Sequence, residues 1–239
     1  MFYAERAVIL AAGIGMRLQP VTLNTPKPLI RVNGVRMIDS IISGLHANGV
    51  YEIYVVVGHL KEQFLDLEAT HCGLKLIYNP VYASCNNISS LYYAREHLCD
   101  CIIIEGDQLV INPSVFAPGF ERSGYCCEWT ERTYEWFQSV ENGIVVASSK
   151  NGGRNGWEVH GVSFWSEADG ARLKRHLEEE FVMRGARDVF WDEIALFLYP
   201  GEYALGIRPV MGGDVIEIDS IQELAELDPS YADCLMKEP

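Results

Sequence analysis

Four stretches of the chain carry residue types that can do chemistry. In Gly13-Ile14-Gly15-Met16-Arg17, two glycines let the backbone turn its N–H groups toward an anion, and Arg17 adds a fixed positive charge. Ten residues beyond Arg17 stands Lys27, in Pro26-Lys27-Pro28-Leu29. The flanking prolines restrict φ, so that lysine sits on a stiff piece of chain. Gly106-Asp107 and Glu217-Ile218-Asp219 supply carboxylates, and strand alternation aims Glu217 and Asp219 the same way. Loop amides with two cations suit a polyphosphate. Paired carboxylates suit Mg2+, which takes one or two of them together with phosphate oxygens and water. Asp107 and Asp219 form such a pair, with Glu217 an open third member. Asp219 is also placed to cap a helix beginning at Ser220.

A second kind of chemistry is spelled by tryptophans close to acids in the C-terminal half: Glu128-Trp129-Thr130-Glu131, Glu135-Trp136-Phe137, Ser163-Phe164-Trp165 and Trp191-Asp192-Glu193. Aromatic faces attract cations, and quaternary ammonium groups are held in aromatic cages. A primary ammonium also needs carboxylate acceptors. The same residues can also be read as apolar core with a solvated acidic rim. Two other chemistries are disfavoured. Leu18 stands where the third glycine of a dinucleotide loop belongs, and the Lys-Ser/Thr of a Walker loop is missing. No Ser-His-Asp or Cys-His pattern marks an activated nucleophile.

These residues need elements to position them. Ala7-Val8-Ile9-Leu10-Ala11-Ala12 has no polar alternation and reads as a strand buried on both faces. Helical spacing follows over 37–49, ended by Asn48-Gly49. Strands are expected at 51–57, 74–78 and 101–104, with helices at 61–70 and 88–98 and a polar loop at 79–87. Alternating strands and helices predict an α/β fold with a doubly wound, mostly parallel, Rossmann-like sheet. Ligands of such sheets sit beyond the carboxyl ends of the strands, where the glycine loop and Asp107 both fall. From 124 to 165, Asn142-Gly143 and Asn151-Gly152-Gly153 signal hairpins, hence a small antiparallel insert rather than a second domain. Helices are expected over 167–181, over 189–198 and from Ser220, with closing strands at 203–209 and 215–218.

At 239 residues, 49% hydrophobic and 22% charged, the chain reads as one ordinary domain spanning 1–239. The polar Lys237-Glu238-Pro239 end fits a whole protein or the first part of a longer fusion. No apolar run is long enough for a membrane span. A net charge of −14 argues against nucleic acid as a partner and gathers the few useful cations, Arg17 and Lys27, at one place. Seven cysteines without a Cys-x-x-Cys pair suit reduced thiols and a cytoplasmic location.

Leu10-Ala11-Ala12-Gly13-Ile14-Gly15-Met16-Arg17-Leu18, followed by Pro26-Lys27-Pro28-Leu29, resembles the opening of the sugar-phosphate nucleotidylyltransferases. That resemblance implies the nucleotide-diphospho-sugar transferase type of fold and a nucleotide held by Leu10, Ala11, Ala12, Gly13 and Gly15. It implies catalysis by Lys27 and Arg17, and Mg2+ as cofactor on an aspartate after the fourth strand and a late acidic residue, matching Asp107 and Asp219. Across residues 7–228, the runs Glu135-Trp136-Phe137, Gly161-Val162-Ser163-Phe164-Trp165, Trp191-Asp192 and Glu217-Ile218-Asp219-Ser220 look like the bacterial phosphocholine cytidylyltransferases and their relatives acting on 2-aminoethylphosphonate. This branch implies CTP as donor, with Asn87 and Ser89 as candidates to read cytosine. It also implies a cationic acceptor near Trp136 and Asp192, with Glu128 and Trp165 as further candidates. At the position of Glu128 the phosphocholine branch carries an aromatic residue. A carboxylate there favours a primary amine, hence 2-aminoethylphosphonate over phosphocholine. A sugar 1-phosphate acceptor is the remaining alternative.

Overall fold

The computed structural model describes residues 1–236, which leaves Lys237-Glu238-Pro239 outside the described residues. The strand β1 (Arg6–Ala11) is followed by three tight turns, the last at Lys27–Leu29, and then by helix α1 (Met37–Ala47). Strand β2 (Glu52–Val57), helix α2 (Leu65–Thr70) and strand β3 (Leu74–Tyr78) come next. Helix α3 (Ile88–Tyr93) then leads to strand β4 (Cys101–Glu105) and the short strand β5 (Gln108–Val110). The chain continues through β6 (Gly124–Thr133), β7 (Phe137–Glu141), β8 (Ile144–Ser149) and the long β9 (Gly153–Trp165). Helix α4 (Glu167–Glu178) and strands β10 (Gly206–Pro209) and β11 (Val215–Glu217) precede the last helix, α5 (Ile221–Leu227).

Strand order explains where a ligand can sit. The path runs β8-β7-β9-β4-β1-β2-β3, with β6 paired to β9 and to β10. Strands β4, β1, β2 and β3 are mutually parallel. The chain winds outward from β1 to β2 and β3, then returns to place β4 on the other side of β1. The carboxyl ends of β1 and β4 therefore flank the point where the winding reverses, the place where open α/β sheets bind ligands. Alternate residues of β1 feed two cores. Ala7, Ile9 and Ala11 pack on the α1 side, while Val8, Leu10 and Ala12 pack with α3 and α4. A strand buried on both faces tolerates no polar alternation, which is why the run is continuous.

The antiparallel portion is not a detached insert. Residues Val162–Trp165 of β9 pair with Cys101–Ile104 of β4, so the antiparallel strands extend the central sheet into one nine-stranded sheet. Asn142-Gly143 closes a hairpin between β7 and β8, but Asn151-Gly152-Gly153 does not, because β8 and β9 both pair with β7. Two helices are shorter than the periodicity suggests. The stretch 88–98 is helical to Tyr93 and then tightens into a turn over Arg95–His97. Residues 189–198 form only a wide π-type turn, Ile194–Leu198. The last helix is capped by Ser220, whose side chain accepts from the Glu223 N–H while Glu223 reaches back to the Ser220 N–H. That reciprocal cap leaves the carboxylate of Asp219 free for other partners. No helix among the described residues is long and apolar enough to cross a membrane.

Candidate active site

The glycine loop is built around Gly15, which has φ +68; a Cβ there would meet Thr22 Cγ2 at 2.9 Å. The Thr22 hydroxyl donates to the Gly15 carbonyl at 2.8 Å and clamps the loop onto the following turn. At the end of β4, the Gly106 N–H donates to the Leu10 carbonyl at 2.9 Å, and a Cβ on Gly106 would lie 2.7 Å from that same oxygen. Only glycine lets the two strand ends approach so closely. Between them opens a cleft of about 560 Å3, lined by residues 10–18, Lys27, Tyr82, Asn86, Asn87, Ser90, Glu105 and Asp107. Six of the expected nucleotide-side residues, Leu10, Ala11, Ala12, Gly13, Gly15 and Asn87, lie on its wall, as do Arg17 and Lys27.

Lys27 is 8% exposed. Its ammonium donates to Asp107 Oδ2 and Asp219 Oδ1, both at 2.8 Å. Arg17 pairs with the same Asp219 oxygen at 2.8 Å. Burial alone would lower the lysine, but Asp107 and Asp219 outweigh it and hold Lys27 above its ordinary value. Burial opposes ionisation of Asp219 as well, yet the hydrogen bond and charge of Lys27, with Arg17, keep it below the usual carboxylate range. The pairing of β11 with β5 sets Glu217 opposite Gln108, beside Asp107. One oxygen each from Asp107, Glu217 and Asp219 lies within 4.8 Å of the others. Glu217 is exposed as a residue, but enclosure of its carboxyl, then the charges of Asp107 and Asp219, push it up to about 8. Three crowded oxygen donors, one of them unable to ionise freely, are a set that a hard divalent cation relieves.

Glu105 was missed by sequence reasoning. Its Oε1 accepts from Asn87 Nδ2 at 3.0 Å and from Trp191 Nε1 at 2.8 Å, and Asn87 Oδ1 accepts from the Trp191 N–H at 3.0 Å. This ring of bonds straps the 187–193 segment onto the cleft. Burial, then the charges of Asp192 and Asp107, hold Glu105 well above the ordinary range. The available signal was an acid ending a buried strand directly before Gly106-Asp107. Ser89 is a correction: it is fully buried, its hydroxyl donating to the Asn86 carbonyl and accepting from Asn79 Nδ2. Ser90, the next residue, lines the cleft instead.

The aromatic and acidic residues divide. Trp136 meets Phe190 and Phe197 edge-on, with centroids 5.9 and 5.6 Å apart. Asp192 is pushed up to about 7, chiefly by burial, and its charge acts on Tyr125 and Glu105. Trp165, by contrast, is fully buried, its N–H donating to Ser163 Oγ and its ring packed against Tyr125, Trp191 and Tyr203. It supports Trp191 from behind and does not face the cleft. Glu128 departs further. In the ladder it lies across from Glu158, which in turn faces Phe137, so its side chain emerges on the opposite sheet face from neighbouring Cys127 and from Trp136. It approaches His160 at 3.7 Å and Gly212, and does not join Trp136 and Asp192. The acid that does stand among the rings is Glu193, described below.

Known proteins share this arrangement. Residues 7–190 match the MobA-like NTP transferase domain. The chain is 38% identical over 229 residues to a 2-aminoethylphosphonate cytidylyltransferase of Lancefieldella rimae, covering 94% of this chain and 92% of that one. It is 32% identical over 224 residues to a choline-phosphate cytidylyltransferase of Streptococcus pneumoniae, covering 93% and 96% respectively. The solved CTP:phosphocholine cytidylyltransferase of Streptococcus pneumoniae superposes with a TM-score of 0.87 at 32% identity, covering 94% of this chain and 98% of that one. An inositol-1-phosphate CTP transferase from T. maritima, at 19% identity and a TM-score of 0.76 over 96% of this chain and 94% of that one, shares the fold. With the glycine loop, Lys27 and Asp107 all inside the matched span, the chain belongs to the MobA-like NTP transferase family.

Proposed function

We propose that the protein is a Mg2+-dependent cytidylyltransferase that transfers CMP from CTP to 2-aminoethylphosphonate and releases pyrophosphate. The observation that carries this reading is the pairing of two unlike ends. A buried lysine and an arginine stand on an acid cluster at the sheet reversal, and an aromatic cluster with carboxylates is strapped beside it through Glu105 and Trp191. The 38% identity to a 2-aminoethylphosphonate cytidylyltransferase supports the choice of acceptor.

An oxygen of the acceptor phosphonate is already anionic, so attack on the α-phosphorus of CTP needs no general base. Catalysis then rests on positioning and charge neutralisation. Arg17 and the loop amides hold the β- and γ-phosphates, and so the departing pyrophosphate. Lys27 leaves the aspartates for the α-phosphate and the attacking oxygen, placing one positive charge between two anions. Asp107, Asp219 and Glu217 would hold Mg2+, which supplies screening of the phosphate charge. Asn87 borders the cytosine side of the cleft. Asp192 and Glu193 accept from the acceptor's ammonium beside Trp136. A cytoplasmic location fits the reading and the seven free cysteines.

Phosphocholine is the second reading, favoured by the three aromatic rings of Trp136, Phe190 and Phe197, which suit a trimethylated ammonium. Pyrophosphate release with CTP and Mg2+, offering both acceptors separately, decides between them. Faster release with 2-aminoethylphosphonate supports the proposal, and faster release with phosphocholine transfers it to the second reading. Release only with a sugar 1-phosphate removes both.

A further inference from the structure

One cation of the chain already sits among the rings. Lys150 lies in the turn between β8 and β9. Its ammonium pairs with Glu193 and stands over Trp136 and Phe197, 5.8 and 5.1 Å from their centroids. Glu193 is itself anchored, its Oε1 accepting the Phe190 N–H at 3.3 Å. The lysine side chain is 39% exposed and the glutamate's 13%. The carboxylate and rings therefore form the built part, and the lysine reaches them from solvent. Aromatic faces plus a fixed carboxylate are what a small organic ammonium requires, and Lys150 meets that requirement from within the chain.

We propose that Lys150 is an internal competitor for the acceptor's ammonium. It occupies the Trp136–Phe197–Glu193 box until the acceptor displaces it, and so sets acceptor affinity. The inference rests on the reading of an amine-bearing acceptor. A tethered group competes at high effective concentration, and a ligand that must first displace it binds with its affinity reduced by the fraction of free box. Lysine suits the task. Its compact charge on a flexible stem can leave without breaking a backbone hydrogen bond, whereas an arginine would fork onto the carboxylate and stack on the ring.

The test uses the whole chain with Lys150→Met, which keeps the stem and removes the charge. The KM for acceptor is expected to fall about two- to five-fold, the weight of an exposed cation–ring contact and ion pair, with kcat and the KM for CTP unchanged. Lys150→Arg is expected to raise the acceptor KM. Tryptophan fluorescence during titration with ethylammonium chloride gives a readout independent of turnover, and the Met variant is expected to bind that probe more tightly than the parent. An acceptor KM that stays the same or rises in Lys150→Met, with ethylammonium affinity unimproved, overturns the proposal. Should Met lower the melting temperature, Lys150→Gln gives the same comparison. If the parent protein turns over no amine-bearing acceptor, the functional reading fails on its own, and the ethylammonium titration still decides what Lys150 does.

Discussion

Two lysines, Lys27 in the cleft and Lys150 among the aromatic rings, differ in almost every physical respect. Lys27 is buried, pinned between prolines and held by two aspartates at 2.8 Å. Lys150 is exposed in the turn between β8 and β9, held by one glutamate and two ring faces. On the proposed reading, each stands where a substrate group of one sign is handled. Lys27 pairs with two acids in a place proposed for phosphates, whereas Lys150 occupies the box proposed for the acceptor's cation. Burial makes the first contact strong and its loss severe. Solvent makes the second weak and exchangeable. On that reading the contrast separates a residue that serves catalysis from one that sets acceptor affinity.

The sharpest way to break the comparison is Lys27→Ala. Steady-state pyrophosphate release is expected to fall roughly 10²–10³-fold, the usual loss when one charge-stabilising donor is removed. The melting temperature should fall as well, because Asp107 loses its cation. A parent-like rate contradicts the role assigned to Lys27. Glu193→Gln acts on the other end. Removing that carboxylate should raise the acceptor KM about ten-fold or more with little effect on the KM for CTP, as acceptor titrations at saturating CTP would show.

The first of these regions was legible in the sequence and the second only in part. Gly13 to Arg17, Lys27 and Gly106-Asp107 belong to short contiguous motifs attached to strands with strong apolar signatures, so local chemistry and position were read together. Asp219 was ambiguous until Ser220 proved to hold the helix cap. The acceptor side is assembled by pairings between distant strands. Whether Glu128 and Trp136 share a face depends on the register of β6, β9 and β7, and a one-residue change of register flips a side chain to the other face. Glu105 was hidden for a related reason: a strand's last residue reveals its partners only once Asn87 and Trp191 are brought to it.

A smaller effect separates the two regions by pH. Glu217 is pushed up to about 8, so the proposed Mg2+ would compete there with a proton at neutral pH. Calorimetric Mg2+ titrations should therefore show affinity rising as pH increases toward 8 and levelling above it. Glu217→Gln should flatten that dependence, and a pH-independent affinity in the parent would remove Glu217 from the cation site. Asp192 reports on the other region. Its folded value of about 7 lies above the ordinary carboxylate range, so the folded state binds more protons than the unfolded one between these values. Stability from this group is then lost as pH rises from about 4 to 7. Asp192→Asn should melt above the parent at pH 8, with the difference shrinking toward pH 4. Equal melting curves at both pH values would show that Asp192 is not buried as described.

The most direct test of CMP transfer to an amine-bearing phosphonate is 31P NMR of CTP, Mg2+ and 2-aminoethylphosphonate with the parent protein and with Lys27→Ala. The account expects two coupled resonances, one from phosphonate and one from phosphate, growing in step with pyrophosphate for the parent and nearly absent for the variant. Pyrophosphate without that coupled pair, or a coupled pair formed only from a sugar 1-phosphate, would contradict it.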